Sequence, residues 1–269
     1  MLAIASPDSV AFSVNGFKIY YYGICMALAV LCGFGLSYYI TKKYYKEIDA
    51  DILYDVVTVG LFTGFLCARL YYCLLNFDFY SANLSEILNF REGGISIQGG
   101  ILGGFLGGAI CAKIKKFPIL KLADIASYGM ILAQAIGRWG NFFNSEAYGH
   151  QTNTFGVFIP LSARVQGYEQ FSYFQPTFLY ESLLNLLVLA ILFFVVRKLK
   201  FRFDGLIFAS YIILYSIVRL IIEPMRLDSA LNVGSIHIAT IASVVMIVIA
   251  TIFIIFKKVR PWNKFRVTS

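Results

Sequence analysis

Between positions 137 and 149 the chain reads GRWGNFFNSEAYG. That stretch sets a guanidinium (Arg138), two carboxamides (Asn141, Asn144), a hydroxyl (Ser145) and a carboxylate (Glu146) beside Gly137, Gly140 and Gly149. An arginine fork suits a phosphate or a carboxylate, because two parallel N–H groups meet two oxygens. Glycines let the backbone come close to a ligand. The apolar run before it, Ile119 to Ile136, is broken only by Lys121, Asp124, Ser127 and Gln134. Polar density at the mouth of such a run is costly unless a ligand or partner answers it. The readings are therefore an anion-binding site or an ordinary exit turn with interfacial polar residues.

Composition decides what surrounds this stretch. Of 269 residues, 59% are hydrophobic and 14% charged, and the mean hydropathy is +0.72. These values exclude two soluble domains and indicate an integral membrane protein. The net charge of +8 does not point to nucleic acid, because the basic residues lie in short runs between apolar spans. Cys25, Cys32, Cys67, Cys73 and Cys111 sit inside apolar runs without ligand-type spacing, and the only histidines are His150 and His237. A zinc or iron site is not expected, and the cysteines read as small packing residues. The first 17 residues lack Lys and Arg and the first apolar run is too long for an h-region, so no signal peptide is expected.

Apolar stretches long enough to cross hydrocarbon recur about seven times. They lie near 19–40, 52–75, 94–112, 119–138, 177–196, 205–224 and 235–256. Sixteen of the 23 Lys and Arg follow the first, third, fifth and seventh spans: Lys42, Lys43, Lys46; Lys113, Lys115, Lys116, Lys121; Arg197, Lys198, Lys200, Arg202; and Lys257, Lys258, Arg260, Lys264, Arg266. Positive charge stays inside, which sets the carboxyl terminus in the cytoplasm and the amino terminus outside. The expected fold is an all-α integral membrane protein, a single polytopic domain over 1–269. Residues 139–176 are its one sizeable outer segment, either a small cap or a long loop. In the third span Gly99-Gly100, Gly103-Gly104 and Gly107-Gly108 form a side-chain-free ridge against which another helix packs closely.

With that orientation, the in-span polar residues fall in the outer half: Tyr22, Arg69, Gln98, Arg138, Glu181, Arg219 and Glu223. Asp124 is the exception, nearer the cytoplasmic end. Arg219 and Glu223 stand one turn apart on one helix face, as a structural ion pair or as part of a binding site. Arg69 is either a site residue or an interfacial anchor, and Tyr21 and Tyr22 either site or aromatic belt. Arg138 has amides rather than carboxylates as its outward neighbours.

GRWGNFFNSEAYG resembles the signature of the prolipoprotein diacylglyceryl transferases, bacterial integral membrane enzymes. The resemblance extends to YYG at 21–23, ARLYYCLLN at 68–76, EGGISIQGG at 92–100, PTFLYE at 176–181 and YSIVRLIIEPMR at 215–226, in family order. It implies transfer of a diacylglyceryl group from phosphatidylglycerol to the lipobox cysteine thiol of a prolipoprotein signal peptide, without a cofactor. It places the protein in the bacterial cytoplasmic membrane with its site at the outer leaflet. By the same resemblance Arg138 binds the lipid phosphate and Arg219 is a second essential cation. Tyr22, Asn141, Asn144, Glu146, Tyr215 and Glu223 line the site, with Gln98 in the catalytic set. Many members carry histidine where this chain has Gln98, and an amide cannot act as a base. His150 and Glu146 remain candidates for a proton relay.

The residue types fit that chemistry. A substrate thiolate needs no nucleophile from the enzyme, a phosphate leaving group calls for fixed cations, and the same cations raise the thiolate fraction. The rival reading is a lipid or anion transporter or flippase. Repeated halves and a midplane site mark transporters, and no repeat between the halves is seen here. A scaffold has no use for clustered arginines and amides, and a lipase-type hydrolase lacks its G-x-S-x-G. The charge bias makes a direct prediction. Tags after Thr41, Lys116, Leu199 and at the carboxyl terminus should report the cytoplasm, and one near Gln166 the exterior. A cytoplasmic signal at Gln166 overturns the orientation.

Overall fold

Long apolar runs free of proline leave the backbone one way to satisfy its polar groups in lipid, and the chain takes it. A computed structural model describes residues 2–14, 16–89, 93–199, 203–227, 232–233 and 236–259. Arg91, Glu92, Lys200, Arg202, Arg260, Lys264 and Arg266, which carry part of the charge and motif pattern above, lie outside those residues. The elements are β1 (Leu2–Ala5), β2 (Val10–Val14), β3 (Phe17–Tyr20), α1 (Tyr21–Tyr44), α2 (Ile52–Leu75), the short α3 (Phe77–Ala82), α4 (Ile97–Ile114) and α5 (Ile119–Phe143). Then follow β4 (Phe155–Phe158), β5 (Tyr173–Phe174), α6 (Thr177–Phe194), α7 (Leu206–Ile222), β6 (Asn232–Val233), β7 (Ile236–His237) and α8 (Ile238–Val259).

Six helices among the described residues are long and apolar enough to cross a membrane: α1, α2, α5, α6 continued to Lys198, α7 continued to Met225, and α8. The expected third span is the 18-residue α4, which stands outside that set. The chain is thus a mostly helical, multi-pass membrane protein. It divides into two compact units, Met1–Ser37 with Ala123–Ser269, and Tyr38–Leu122.

In the second unit α2 and α4 pack on the glycine ridge expected from sequence. A β-carbon on Gly103 would stand 2.8 Å from the Thr63 carbonyl oxygen, and Thr63 Oγ1 donates to the Gly103 carbonyl at 2.9 Å. Helices in lipid gain nothing from hydrophobic association with each other. Close backbone approach and interhelical hydrogen bonds supply the adhesion instead.

The first unit uses the same device once more. α1 and α5 approach at Gly33 and Gly129, where a β-carbon on Gly33 would lie 2.7 Å from the Gly129 carbonyl oxygen. Nearby, Ser37 Oγ donates to the Ile125 carbonyl at 3.3 Å. α5 runs to Phe143, beyond the expected end at 138. Tyr21 stacks on Phe143 with ring centroids 4.4 Å apart, and this contact outweighs the weak helix propensity of Gly140. Residues after α5 fold on a small sheet, β1–β4–β5, with β1 parallel to β4 and β5 antiparallel to it. Tyr148, Val157, Ile159, Phe174 and Phe178 form its core, so this segment is folded around a core of its own rather than an open loop.

Asp124, the carboxylate that sequence left without a role, caps a distant helix. It is 3% exposed, and its oxygens accept from the N–H groups of Gly205 at 2.8 Å and Phe208 at 2.9 Å, at the start of α7. First-turn N–H groups have no partner within their own helix, and water is excluded here. Asp124→Ala should lower the thermal stability of the detergent-solubilised protein by about 1–3 kcal/mol, and Asp124→Asn, which keeps one acceptor, by less. A melting temperature unchanged in Asp124→Ala would contradict the capping role.

Candidate active site

Arg138 and Asn141 are three residues apart on α5, hence neighbours on one face. Beyond Phe143 the chain reverses sharply. Ser145 and Ala147 take left-handed conformations, at φ 54 and 55, which side chains tolerate only where surrounding contacts hold them. Those contacts are visible. Glu146 N–H donates to the Asn141 carbonyl at 3.0 Å, and Thr177 Oγ1 donates to the Ala147 carbonyl. The reversal returns the Glu146 carboxylate to Asn141 Nδ2 at 2.9 Å and Asn144 Nδ2 at 3.4 Å. Gly149 closes the motif by backbone pairing with Arg226, where a β-carbon would lie 2.7 Å from the Met225 carbonyl oxygen. This pairing ties the loop to the segment that follows Glu223.

The charged side chains form one continuous network across α5, α6 and α7. Arg138 Nη2 lies 2.7 Å from Glu181 Oε1, and its Nη1 donates to Asn141 Oδ1 at 3.4 Å. Arg219 Nη1 donates to the Glu181 carboxylate at 3.2 Å, and its Nη2 pairs with Glu223 one turn along. His237 Nδ1 stands 3.5 Å from Glu223 Oε1. Glu181, 2% exposed, sits between the two guanidiniums. Arg138 is the more open cation, with its side chain 20% exposed against 13% for Arg219. The Tyr22 ring packs against Gly140, where a β-carbon would meet it at 2.8 Å. Tyr215 stacks on Tyr211 at 6.0 Å and lies one turn before Arg219 on α7.

The first unit therefore gathers Tyr22, Arg138, Asn141, Asn144, Glu146, Tyr215, Arg219 and Glu223. Gln98 and Arg69 belong to the second unit. One expectation needs correction. Arg138 is matched by a carboxylate after all, supplied by α6 from more than forty positions away in sequence. Glu181 itself was marked only as an in-span carboxylate within PTFLYE; its central place depends on which helices touch, which local sequence does not encode. His237 was missed altogether, because a histidine at the start of an apolar span carries no signal of its partner. His150 is exposed, and its backbone is held between Met225 and Gln175.

Chemically, the network is a pair of fixed cations whose charge is already compensated. The contacts of Arg138 with Glu181 and Asn141 leave further N–H donors for an incoming anion. Arg219 has both terminal nitrogens on carboxylates. Among the described residues no group of three or more His, Cys, Asp or Glu is placed to hold a metal ion.

The sequence model of the family described as prolipoprotein diacylglyceryl transferase matches residues 9–256. The chain is 42% identical over 264 residues to the phosphatidylglycerol–prolipoprotein diacylglyceryl transferase of Clostridium novyi (strain NT), covering 96% of this chain and 99% of that protein. It is 41% identical over 241 residues to the protein of the same name from Acaryochloris marina (strain MBIC 11017), covering 89% and 87%. Against its namesake from Listeria innocua serovar 6a, identity is 38% over 256 residues, covering 94% and 91%. With a family match over residues 9–256 and similarity along nearly its whole length, the chain belongs to the prolipoprotein diacylglyceryl transferase family.

Proposed function

We propose that this protein transfers the diacylglyceryl group of phosphatidylglycerol to the thiol of the lipobox cysteine in a prolipoprotein signal peptide. The observation that carries the reading is the Arg138–Glu181–Arg219–Glu223 network, buried in apolar helices of a chain from this family. The relatives named above are transferases by name, and nothing in the chain favours a transporter. The protein acts as a single polytopic domain of seven spans in the bacterial cytoplasmic membrane. Its amino terminus is outside, its carboxyl terminus cytoplasmic and its site at the outer leaflet, a topology supported by the distribution of Lys and Arg.

In the reaction the thiolate sulfur attacks the glyceryl carbon that bears the phosphate. A carbon–sulfur bond forms, the carbon–oxygen bond breaks, and its electron pair leaves with glycerol phosphate. Arg138, more open and with donors to spare, binds the phosphate of the lipid and takes up the charge that grows on it. Arg219 holds Glu181, and Glu181 fixes the plane of the Arg138 fork. Asn141, Asn144 and Glu146 line the site beside Arg138, with Tyr22 against Gly140 and Tyr215 and Glu223 on the side of Arg219. The field of the two guanidiniums lowers the thiol pKa of the incoming cysteine, and its proton passes to solvent. Gln98 contributes carboxamide hydrogen bonds to substrate, and no basicity.

Purified protein incubated with labelled phosphatidylglycerol and a lipobox peptide should yield the thioether-linked diacylglyceryl peptide and glycerol phosphate. Failure of that transfer sinks the reading. Arg138→Ala should abolish the reaction and Arg138→Lys should restore little, since an ammonium keeps the charge but loses the fork. The loss corresponds to about 2–4 kcal/mol, or one to three decades in rate. Glu181 keeps Arg219 as partner in both variants, so folding should survive, and substantial activity in Arg138→Ala would reduce Arg138 to an anchor. A second test concerns the missing base. Gln98→His should bring no large gain in rate and no new limb near neutral pH in the pH–rate profile. A gain of both would show that a base was lacking.

A further inference from the structure

Arg69, near the end of α2 and 3% exposed, is surrounded by backbone oxygens. Its Nε donates to the carbonyl of Ile87 at 2.9 Å, Nη1 to Gly93 and Gly94 at 2.7 Å each, and Nη2 to Glu86 at 2.5 Å and Asn89 at 2.9 Å. A guanidinium has five N–H donors, and here five carbonyls receive them. This leaves no donor for a phosphate, so Arg69 is neither an interfacial anchor nor a lipid ligand. Gly93 and Gly94 stand at φ 81 and 75, a backbone that directs both carbonyls onto one nitrogen. A β-carbon on Gly94 would fall 2.5 Å from Arg69 Nη1.

The residue beside Arg69 continues the attachment. The Ala68 carbonyl accepts from Ser96 N–H at 2.9 Å, immediately before α4 begins. Ser96 is buried, and its hydroxyl donates to Gln98 Oε1 at 2.6 Å. The entry to α4 is thus held to one turn of α2 through Gly94 and Ser96, and Gln98 follows directly, exposed. With its amide oxygen accepting from Ser96, the NH₂ is the end of the Gln98 carboxamide that donates.

We propose that Arg69 and Ser96 are positioning residues that fix the Gln98 carboxamide with its N–H groups toward an oxygen acceptor of the phospholipid substrate. The proposal rests on the reading of Gln98 as a substrate-contacting residue. It assigns Gln98 the part of a donor held in one orientation, which a freely rotating glutamine would fill only part of the time.

The test is a double-mutant cycle on the full-length protein in phosphatidylglycerol-containing micelles with a lipobox peptide. Ser96→Ala should lower kcat about three- to tenfold, the worth of one lost hydrogen bond. The KM for the peptide and the melting temperature should stay at the wild-type values. In a Gln98→Ala background the same substitution should cost nothing further. Arg69→Lys, one ammonium for five carbonyls, should lose more, and that loss too should shrink when Gln98 is absent. Losses that multiply, or a Ser96→Ala enzyme equal to wild type, would overturn the positioning role while leaving the transferase reading intact. A wild-type protein without transfer would remove both together.

Discussion

A carboxylate enclosed by apolar helices must be met by positive charge, and Glu181 is met from two sides. Glu181 is 2% exposed, so the energy of holding an ion there is large, and only matched charge with good hydrogen-bond geometry offsets it. Arg138 and Arg219 provide that match at 2.7 and 3.2 Å, and Glu223 balances the second guanidinium. Removing Glu181 would take from both guanidiniums the carboxylate they share, at a cost of about 3–5 kcal/mol. The mutual positions of α5, α6 and α7 are therefore held by electrostatics as well as by packing. Under the proposed function, an arginine already oriented in this way needs no rearrangement when phosphate charge develops beside it, which is what makes fixed cations effective in catalysis.

Around that charge layer, small residues and shared hydrogen bonds do the work that hydrophobic collapse does in soluble proteins. Gly33 against Gly129, Ser37 on the Ile125 carbonyl and Ser182 on the Ala135 carbonyl hold the helices of the first unit. Thr63 on the Gly103 carbonyl does the same in the second. Asp124 belongs to the same economy, since it satisfies the open end of α7 where no solvent reaches. The segment after α5 is organised differently, around an aromatic core in which the buried Tyr148 hydroxyl accepts from Val165 N–H and donates to the Ala163 carbonyl. Two left-handed residues and one glycine then aim Glu146 back at α5.

The sequence by itself determined the class of protein and the helices, and it marked most of the residues that the polar network joins. Apolar length and the scarcity of charge are one-dimensional properties, so the expected spans coincide with helices to within a few residues. The motif residues lie close together along the chain, and Arg219 and Glu223 share a face through helical period alone. What local sequence left open, only tertiary contact decided. Arg138 gained a carboxylate because α6 packs on α5, Arg69 is caged by five carbonyls because residues 86–89 and 93–94 lie against α2, and Asp124 became a cap because it meets α7. Each of these side chains was marked in the sequence as costly to bury, but the partner that offsets the cost lies 17 to 84 positions away. A buried charge announces that it must be satisfied, and the path of the chain in space settles by what.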